Sequence, residues 1–390
     1  MIYMDHSATT PLDARVLATM QPFFAGDFGN SMAIHHWGRA AEAAIEDARH
    51  TIARLLNCAP GDVVFTSGGS ESDNLALRGP AQYASAHNRP FTLITSAIEH
   101  KAISVTARQL QHTLGINLRL LPVTRTGAVD PDDLRHTLHG LPTDGVALVS
   151  LIHAHNELGT INAIAECAAI AHNFGALFHT DAVQSPGHVP VDVNALDVDL
   201  LSLSTHKFYG PKGMGVLIVR DGVDLLSAQT GAAHENGLRA GTHNTPGIVG
   251  TAAALELATA EQPAETRRLA ALCDRLLAEI PERVPDAIVT GDELNRLPHL
   301  ASFAFKDVDS NTLLMHLDRR GIAASSGSAC QVGNSQPSPI LEALGLGQDW
   351  TRGGLRLSLG RATTLAEIDA VLEAVPEAVD RARRVHALSL

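Results

Sequence analysis

The sequence predicts an α/β protein with a mostly parallel seven-stranded sheet, followed by a smaller α+β C-terminal domain. Seven short apolar runs, at 63–66, 91–95, 118–123, 146–153, 176–179, 200–204 and 215–219, have the length of buried strands. Helical-looking segments separate most of them, and strands alternating with helices imply a parallel sheet covered on both faces. Polar residues gather where several runs end, at Thr66-Ser67-Gly68-Gly69-Ser70, at His179-Thr180-Asp181 and from Ser204 to Lys207. In open parallel sheets ligands sit outside the carboxyl ends of the strands, so these three clusters are expected to share one pocket.

The first periodic element is a helix over 39–56, where Ala41, Ala44, Ile45, Ala48, Ile52, Leu55 and Leu56 recur at steps of three and four. The seven strands follow. Beyond Gly250 the chain turns helical and rich in Ala and Leu, through Leu277. A strand at 300–305, a helix near 312–320, a stretch of small residues over 323–329, a strand at 354–359 and a helix from Leu365 onward make the second unit. The division is expected near residue 255.

With 390 residues, 45% apolar content and a mean hydropathy of +0.05, the chain can bury the cores of two or three domains without staples. Its 42 acidic against 29 basic residues give a net charge of -13, which opposes unspecific attraction to nucleic-acid backbones and anionic membranes. No direct nucleic-acid partner is expected. The start has no basic-then-apolar leader and no apolar run approaches the length of a membrane span, so a cytoplasmic protein is expected. Cys58, Cys167, Cys273 and Cys330 are too few to staple such a chain and have no metal-ligand spacing. The histidine pairs His35-His36 and His153-Ala154-His155 lack a cysteine or carboxylate partner at ligand spacing, and no metal is expected.

Chemistry concentrates on a few residues. Ser204 to Gly213 puts Lys207 just past a strand end, among small polar residues and glycines, where an amine can be desolvated and reached by a bound aldehyde. That frame suits the lysine of a pyridoxal 5'-phosphate enzyme; a solvated loop after a strand has the same look. Thr66 to Ser72 leads from a strand into a helix, offering glycines and unpaired N–H groups to a phosphate, and a plain capped helix start reads the same. Asp181 closes an apolar strand, where its carboxylate needs either a protonated pyridine nitrogen or the N–H groups of the next helix. Cys330 ends Ala323-Ala324-Ser325-Ser326-Gly327-Ser328-Ala329-Cys330, a run without core periodicity, and is expected to be an accessible loop thiol. The other three cysteines lie in apparent helices or at helix ends, where cysteine is usually a small buried hydrophobe.

Phosphate loop, strand-end Asp and strand-end Lys, in that order, resemble the fold-type I pyridoxal-phosphate enzymes. Ten segments narrow the likeness: Asp5 to Thr10 (DHSATT), Phe28-Gly29-Asn30, Thr66 to Asn74 (TSGGSESDN), Glu99-His100, Asn156 to Thr160 (NELGT), His179 to Gln184 (HTDAVQ), Ser204 to Gly213, Arg239 to Thr242 (RAGT), Ser325 to Cys330 (SSGSAC) and Arg356 to Arg361 (RLSLGR). Together they are similar to the cysteine desulfurases of the NifS/IscS type, in the class V aminotransferase family, along nearly the whole chain.

The resemblance implies a fold-type I transferase with a large cofactor-binding domain over 13–255 and a small domain made of 1–12 and 256–390. It implies that Lys207 holds the cofactor, that Asp181 pairs with its ring nitrogen, and that Gln184 faces the phenolic oxygen with Asn156 nearby. Ser70, Ser204 and His206 would hold the phosphate, and Thr242 would reach it from the other subunit of a homodimer. His100 would stack on the ring and move protons, while Arg356 and Asn156 would bind the carboxylate of L-cysteine. Cys330 would take the substrate sulfur as a persulfide, leaving L-alanine, and pass it to an acceptor protein such as an iron–sulfur scaffold or a thiolation enzyme.

Selenocysteine lyases, C–S lyases and class V aminotransferases share this cofactor core, and the loop cysteine is what separates them. A non-catalytic sulfur-assembly scaffold would lack the visible cofactor band. Three positions depart from the family pattern: His155 stands where Asn is common, Thr205 where Gly is usual, and Ala232-Ala233-His234 where Gly-Gly-Gln is typical.

Overall fold

The computed structural model describes residues 1–141, 145–327 and 336–387. After a short strand β1 (Ile2–Tyr3), seven strands build one sheet: β2 (Val63–Thr66), β3 (Phe91–Ser96), β4 (Asn117–Leu121), β5 (Val146–Ile152), β6 (Leu177–Asp181), β7 (Leu200–Ser204) and β8 (Gly215–Val219). Their spatial order is β2-β8-β7-β6-β5-β3-β4. Pairing is parallel from β4 through β7, and β8 alone runs antiparallel to its neighbours β7 and β2. The reversal has a simple cause. Between β7 and β8 the chain has only the single helical turn Thr205–Lys207, which is too little for the crossover that parallel neighbours require.

Successive strand residues point to opposite faces, and the two faces have separate cores. Ile94 and Val149 pack with Ile45 and Ile52 of the helix His36–Leu56 on one side. Leu93 and Leu148 pack with Leu75 and Leu77 of the helix Gly69–Ala86 and with Ile103 and Leu110 of the helix Lys101–Leu114 on the other. Helices on both faces of a mostly parallel sheet are the α/β architecture expected from the alternation of runs.

A second core surrounds a three-stranded antiparallel sheet of β9 (Ala287–Val289), β10 (Leu300–Phe305) and β12 (Gly354–Ser358), in the order β12-β10-β9. The terminal helix Leu365–Ala387 lays Ile368, Val371, Val375 and Val379 on it. The N-terminal strand belongs here too: β1 pairs in parallel with β11 (Ile322–Ala323), Met4 is buried in this core, and Asp5 bridges to Ser358. One helix, Thr245–Arg283, serves both cores. Ile248, Leu255 and Ala258 pack in the first, and Leu269, Cys273, Leu276 and Ile280 in the second. Pro263 lies between the two groups, where its missing N–H interrupts the helical hydrogen bonding. The N-terminal segment therefore runs from the second core to the strand ends of the first, and this places the site.

Candidate active site

Lys207 closes the turn after β7, and its Nζ donates to the carbonyls of Ser7 at 2.7 Å and Ala8 at 2.8 Å. Burial, reinforced by the Arg356 charge, lowers its pKa to about 8, against the opposing pull of Asp181 and Asp5. The segment that supplies those carbonyls is tied down around the lysine. Thr10 donates to the His206 carbonyl through both its N–H, at 3.0 Å, and its hydroxyl, at 2.9 Å. Gln184 Nε2 donates to the Ser7 carbonyl at 2.9 Å.

Asp181 ends β6 in the interior, and its Oδ1 accepts the Val183 N–H at 3.0 Å. Burial raises its pKa, while His100, that N–H and Lys207 favour its charged form. Ser70 lies in the first turn of Gly69–Ala86, whose N-cap Gly68 offers no side-chain acceptor, so the helix start is left for an external anion. A Cβ on Gly69 would lie 2.8 Å from Val183 Cγ2 and 3.2 Å from Ser204 Cβ. Glycine at 69 thus lets the helix start sit directly against the ends of β6 and β7. His206 Nδ1 meets Thr9 Oγ1 at 3.0 Å.

Lys207, Asp181, Gln184, Ser70, Ser204, His206, Asn156 and His100 all line one cavity of about 510 Å³. The arrangement offers donors for a phosphate at the helix start, a buried carboxylate for a cation, and an amine of lowered pKa, all on one cavity. His100 is exposed and caps the helix Lys101–Leu114, with its Nδ1 accepting the Ala102 N–H at 3.2 Å. Arg356, on β12, lies behind the wall. It is 5% exposed, its Nη2 pairs with Asp5 at 2.7 Å, and its Nη1 donates to the Asn156 carbonyl at 2.8 Å. Both of its terminal nitrogens are therefore engaged. Thr242 is exposed and is not part of the cavity lining. Cys330 lies outside the described residues. Cys58, Cys167 and Cys273 are free, and burial pushes each thiol up to about 12.

The three departures have structural partners. His155 Nε2 donates to the Ile98 carbonyl at 2.9 Å, and its Nδ1 accepts the N–H groups of Glu157 and Leu158, each at 3.1 Å. It caps the turn that presents Asn156. Thr205 is buried with its hydroxyl 3.2 Å from that of Thr251, and His234 packs edge-on to His243. Sequence reasoning gave no role to several lining residues, Thr9 and Asp73 among them, although both lie in segments that carry the family likeness. Asp73 had a signal: at helical spacing it shares a face with Gly69, Ala76, Leu77 and Pro80, all buried, where an acid is out of place.

No helix among the described residues is long and apolar enough to cross a membrane. The model of the class-V aminotransferase family matches residues 2–371. A cysteine desulfurase IscS of Dictyoglomus turgidum is 41% identical over 384 residues, covering 98% of this chain and 96% of its own. Another, of Methanosarcina thermophila, is 42% identical and covers 100% and 94%. Among solved structures, a NifS-like protein aligns with a TM-score of 0.89 at 33% identity, over 97% of this chain and 99% of that one. With sequence, fold and the end-to-end match in agreement, the chain belongs to the class-V aminotransferase family, among the cysteine desulfurases.

Proposed function

We propose that this protein is a pyridoxal 5'-phosphate-dependent cysteine desulfurase that converts L-cysteine to L-alanine and holds the sulfur as a persulfide on Cys330. The observation that carries the reading is the Lys207 amine, its pKa lowered to about 8, in one cavity with the buried Asp181 carboxylate and an open helix start. The residues fit the cofactor. Ser70, Ser204 and His206 would hold its phosphate, Asp181 its ring nitrogen, Gln184 its phenolic oxygen and Lys207 its aldehyde carbon. When bound, the cofactor supplies an electron sink that makes the substrate's α-proton acidic.

The chain's own groups do the rest. Lys207 Nζ, poised near neutrality, takes the α-proton. Asp181 keeps a proton on the ring nitrogen by offering it an anionic acceptor in a dry setting. Arg356 holds the substrate carboxylate, with Asn156 beside it, by releasing Asp5 from Nη2 and pairing that nitrogen with Nε, which has no partner among the described residues, as a two-pronged donor. His100, exposed in the cavity wall, carries protons between substrate and solvent. Cys330 Sγ forms a new S–S bond as the substrate's C–S bond breaks. The electron pair stays on carbon, and a proton completes alanine.

Thr242 would complete the phosphate site of the other subunit in a homodimer. The persulfide sulfur would go to an acceptor protein, an iron–sulfur scaffold or a thiolation enzyme, and the free thiols fit a reducing cytoplasm. The test is the product made from L-cysteine with a dithiol present. A desulfurase gives alanine in step with sulfide, whereas a C–S lyase gives pyruvate and ammonia.

A further inference from the structure

Behind the Asp181 carboxylate stands a second one. Asp73, in the helix Gly69–Ala86, is 1% exposed, and one of its oxygens lies within 4.8 Å of an Asp181 oxygen and of a His100 ring nitrogen. Its Oδ1 is buried with no hydrogen-bond partner among the described residues. Its one hydrogen-bonding neighbour of note is the Ser202 hydroxyl on β7. That hydroxyl is 2.9 Å from His179 Nε2, and His179 Nδ1 is 2.8 Å from the Ser150 hydroxyl, so a polar file runs across β5, β6 and β7 on one face of the sheet to Asp73.

Among the described residues no cation is hydrogen-bonded to Asp73, and His100, within 4.8 Å of both acids, favours the charged form of Asp181. The His179 ring is 3.8 Å from its Oδ1, but burial holds that ring neutral. Glu99, three residues beyond the end of β3, faces the pair as a third acid, and burial keeps it protonated up to about 8. Its Oε1 accepts from the Ser96 hydroxyl at 2.6 Å and the Ile152 N–H at 3.2 Å, while its Oε2, like Asp73 Oδ1, is buried with no hydrogen-bond partner among the described residues. Asp181 differs from both in its neighbours: beside the Val183 N–H that it accepts, His100 and Lys207 favour its charge.

Two carboxylates this close in a dry interior do not both ionise, and the charge settles where donors and cations are. We propose that Asp73 and Asp181 share a single negative charge, with Asp73 keeping the proton and turning its O–H toward Asp181. Asp73 is then a positioning residue, which fixes the orientation and charge of the acceptor for the ring nitrogen. That last role rests on the cofactor reading; the shared proton does not.

The experiment is infrared difference spectroscopy of the purified protein, with and without pyridoxal phosphate, combined with cofactor titration of two variants. Asp73→Asn is expected to remove one of two carbonyl bands of un-ionised, deuterium-sensitive carboxylic acids at neutral pH, leaving that of Glu99, with no loss of ionised-carboxylate intensity. Asp73→Leu, which has no donor for Asp181, is expected to raise the cofactor dissociation constant about tenfold, and Asp73→Asn, which keeps an N–H donor, to recover most of that affinity. Loss of ionised-carboxylate intensity in Asp73→Asn overturns the proposal, as does equal weakening by Asn and Leu. An acid band lost in a protein that takes up no cofactor upholds the shared proton and overturns the proposed function.

Discussion

The Nζ of Lys207 donates to the carbonyl of Ser7 at 2.7 Å, although the two residues are 200 positions apart. A carbonyl accepts a proton-bearing nitrogen but cannot neutralise a charge, so burial prevails and the amine's pKa falls from its ordinary range to about 8. The N-terminal segment from the second core thus holds the reactive amine of the first.

The sign of this shift gives the first prediction. A lysine whose pKa is lowered becomes unprotonated, and so nucleophilic, earlier as pH rises. Uptake of pyridoxal phosphate by cofactor-free protein should quicken through pH 8 and level off there, rather than keep rising toward 10. Lys207→Ala should lack the visible band that borohydride bleaches, and peptide mapping of the reduced label to Lys212 instead would refute the assignment.

His155 gives a second. Its Nδ1 already accepts two N–H groups, so a proton there would face two donors, and burial lowers the ring's pKa to about 4. Below the unfolded value of roughly 6.5 the unfolded chain binds a proton that the folded ring refuses. Stability is therefore present above that pH and is lost as pH falls toward 4, by about 1.4 kcal/mol per pH unit for such a ring. His155→Asn should show a shallower loss in urea unfolding between pH 7 and 5, and an unchanged slope would argue against this role.

Much of this was legible in the sequence because it is local. Asp181 and Lys207 stand where apolar runs stop, and a strand end announces itself by that change of polarity. The reversed β8 was not legible from the alternation of runs, which gives order but not direction; the shortness of the segment after β7 carries that information. Asp73 left only a weak trace, its place on an otherwise apolar helix face, because which face of that helix is buried is decided by the sheet beneath it. The pairing of Arg356 with Asp5, 351 positions apart, leaves no local trace at all.

That pairing motivates the third prediction. Arg356→Lys keeps the charge but not the planar fork, so it should raise the KM for L-cysteine about tenfold or more while leaving the cofactor band intact. A KM within twofold of the unmodified protein would remove Arg356 from substrate binding.

Thr242 is exposed and outside the cavity lining of its own chain, as a residue acting across a dimer would be. Mixing inactive Lys207→Ala protein with an inactive Thr242→Ala variant should restore part of the activity, because hybrid dimers contain one intact site. Full activity of a strictly monomeric species in sedimentation would rule out the shared site.

The most direct measurement is alanine release by Cys330→Ser. The three other thiols are pushed up to about 12 by burial, which leaves them without the thiolate the reaction needs. The variant should bind cofactor and L-cysteine yet form alanine at a rate lower by about two orders of magnitude or more. Alanine formed at the unmodified rate would contradict a persulfide on Cys330 and, with it, the proposed mechanism.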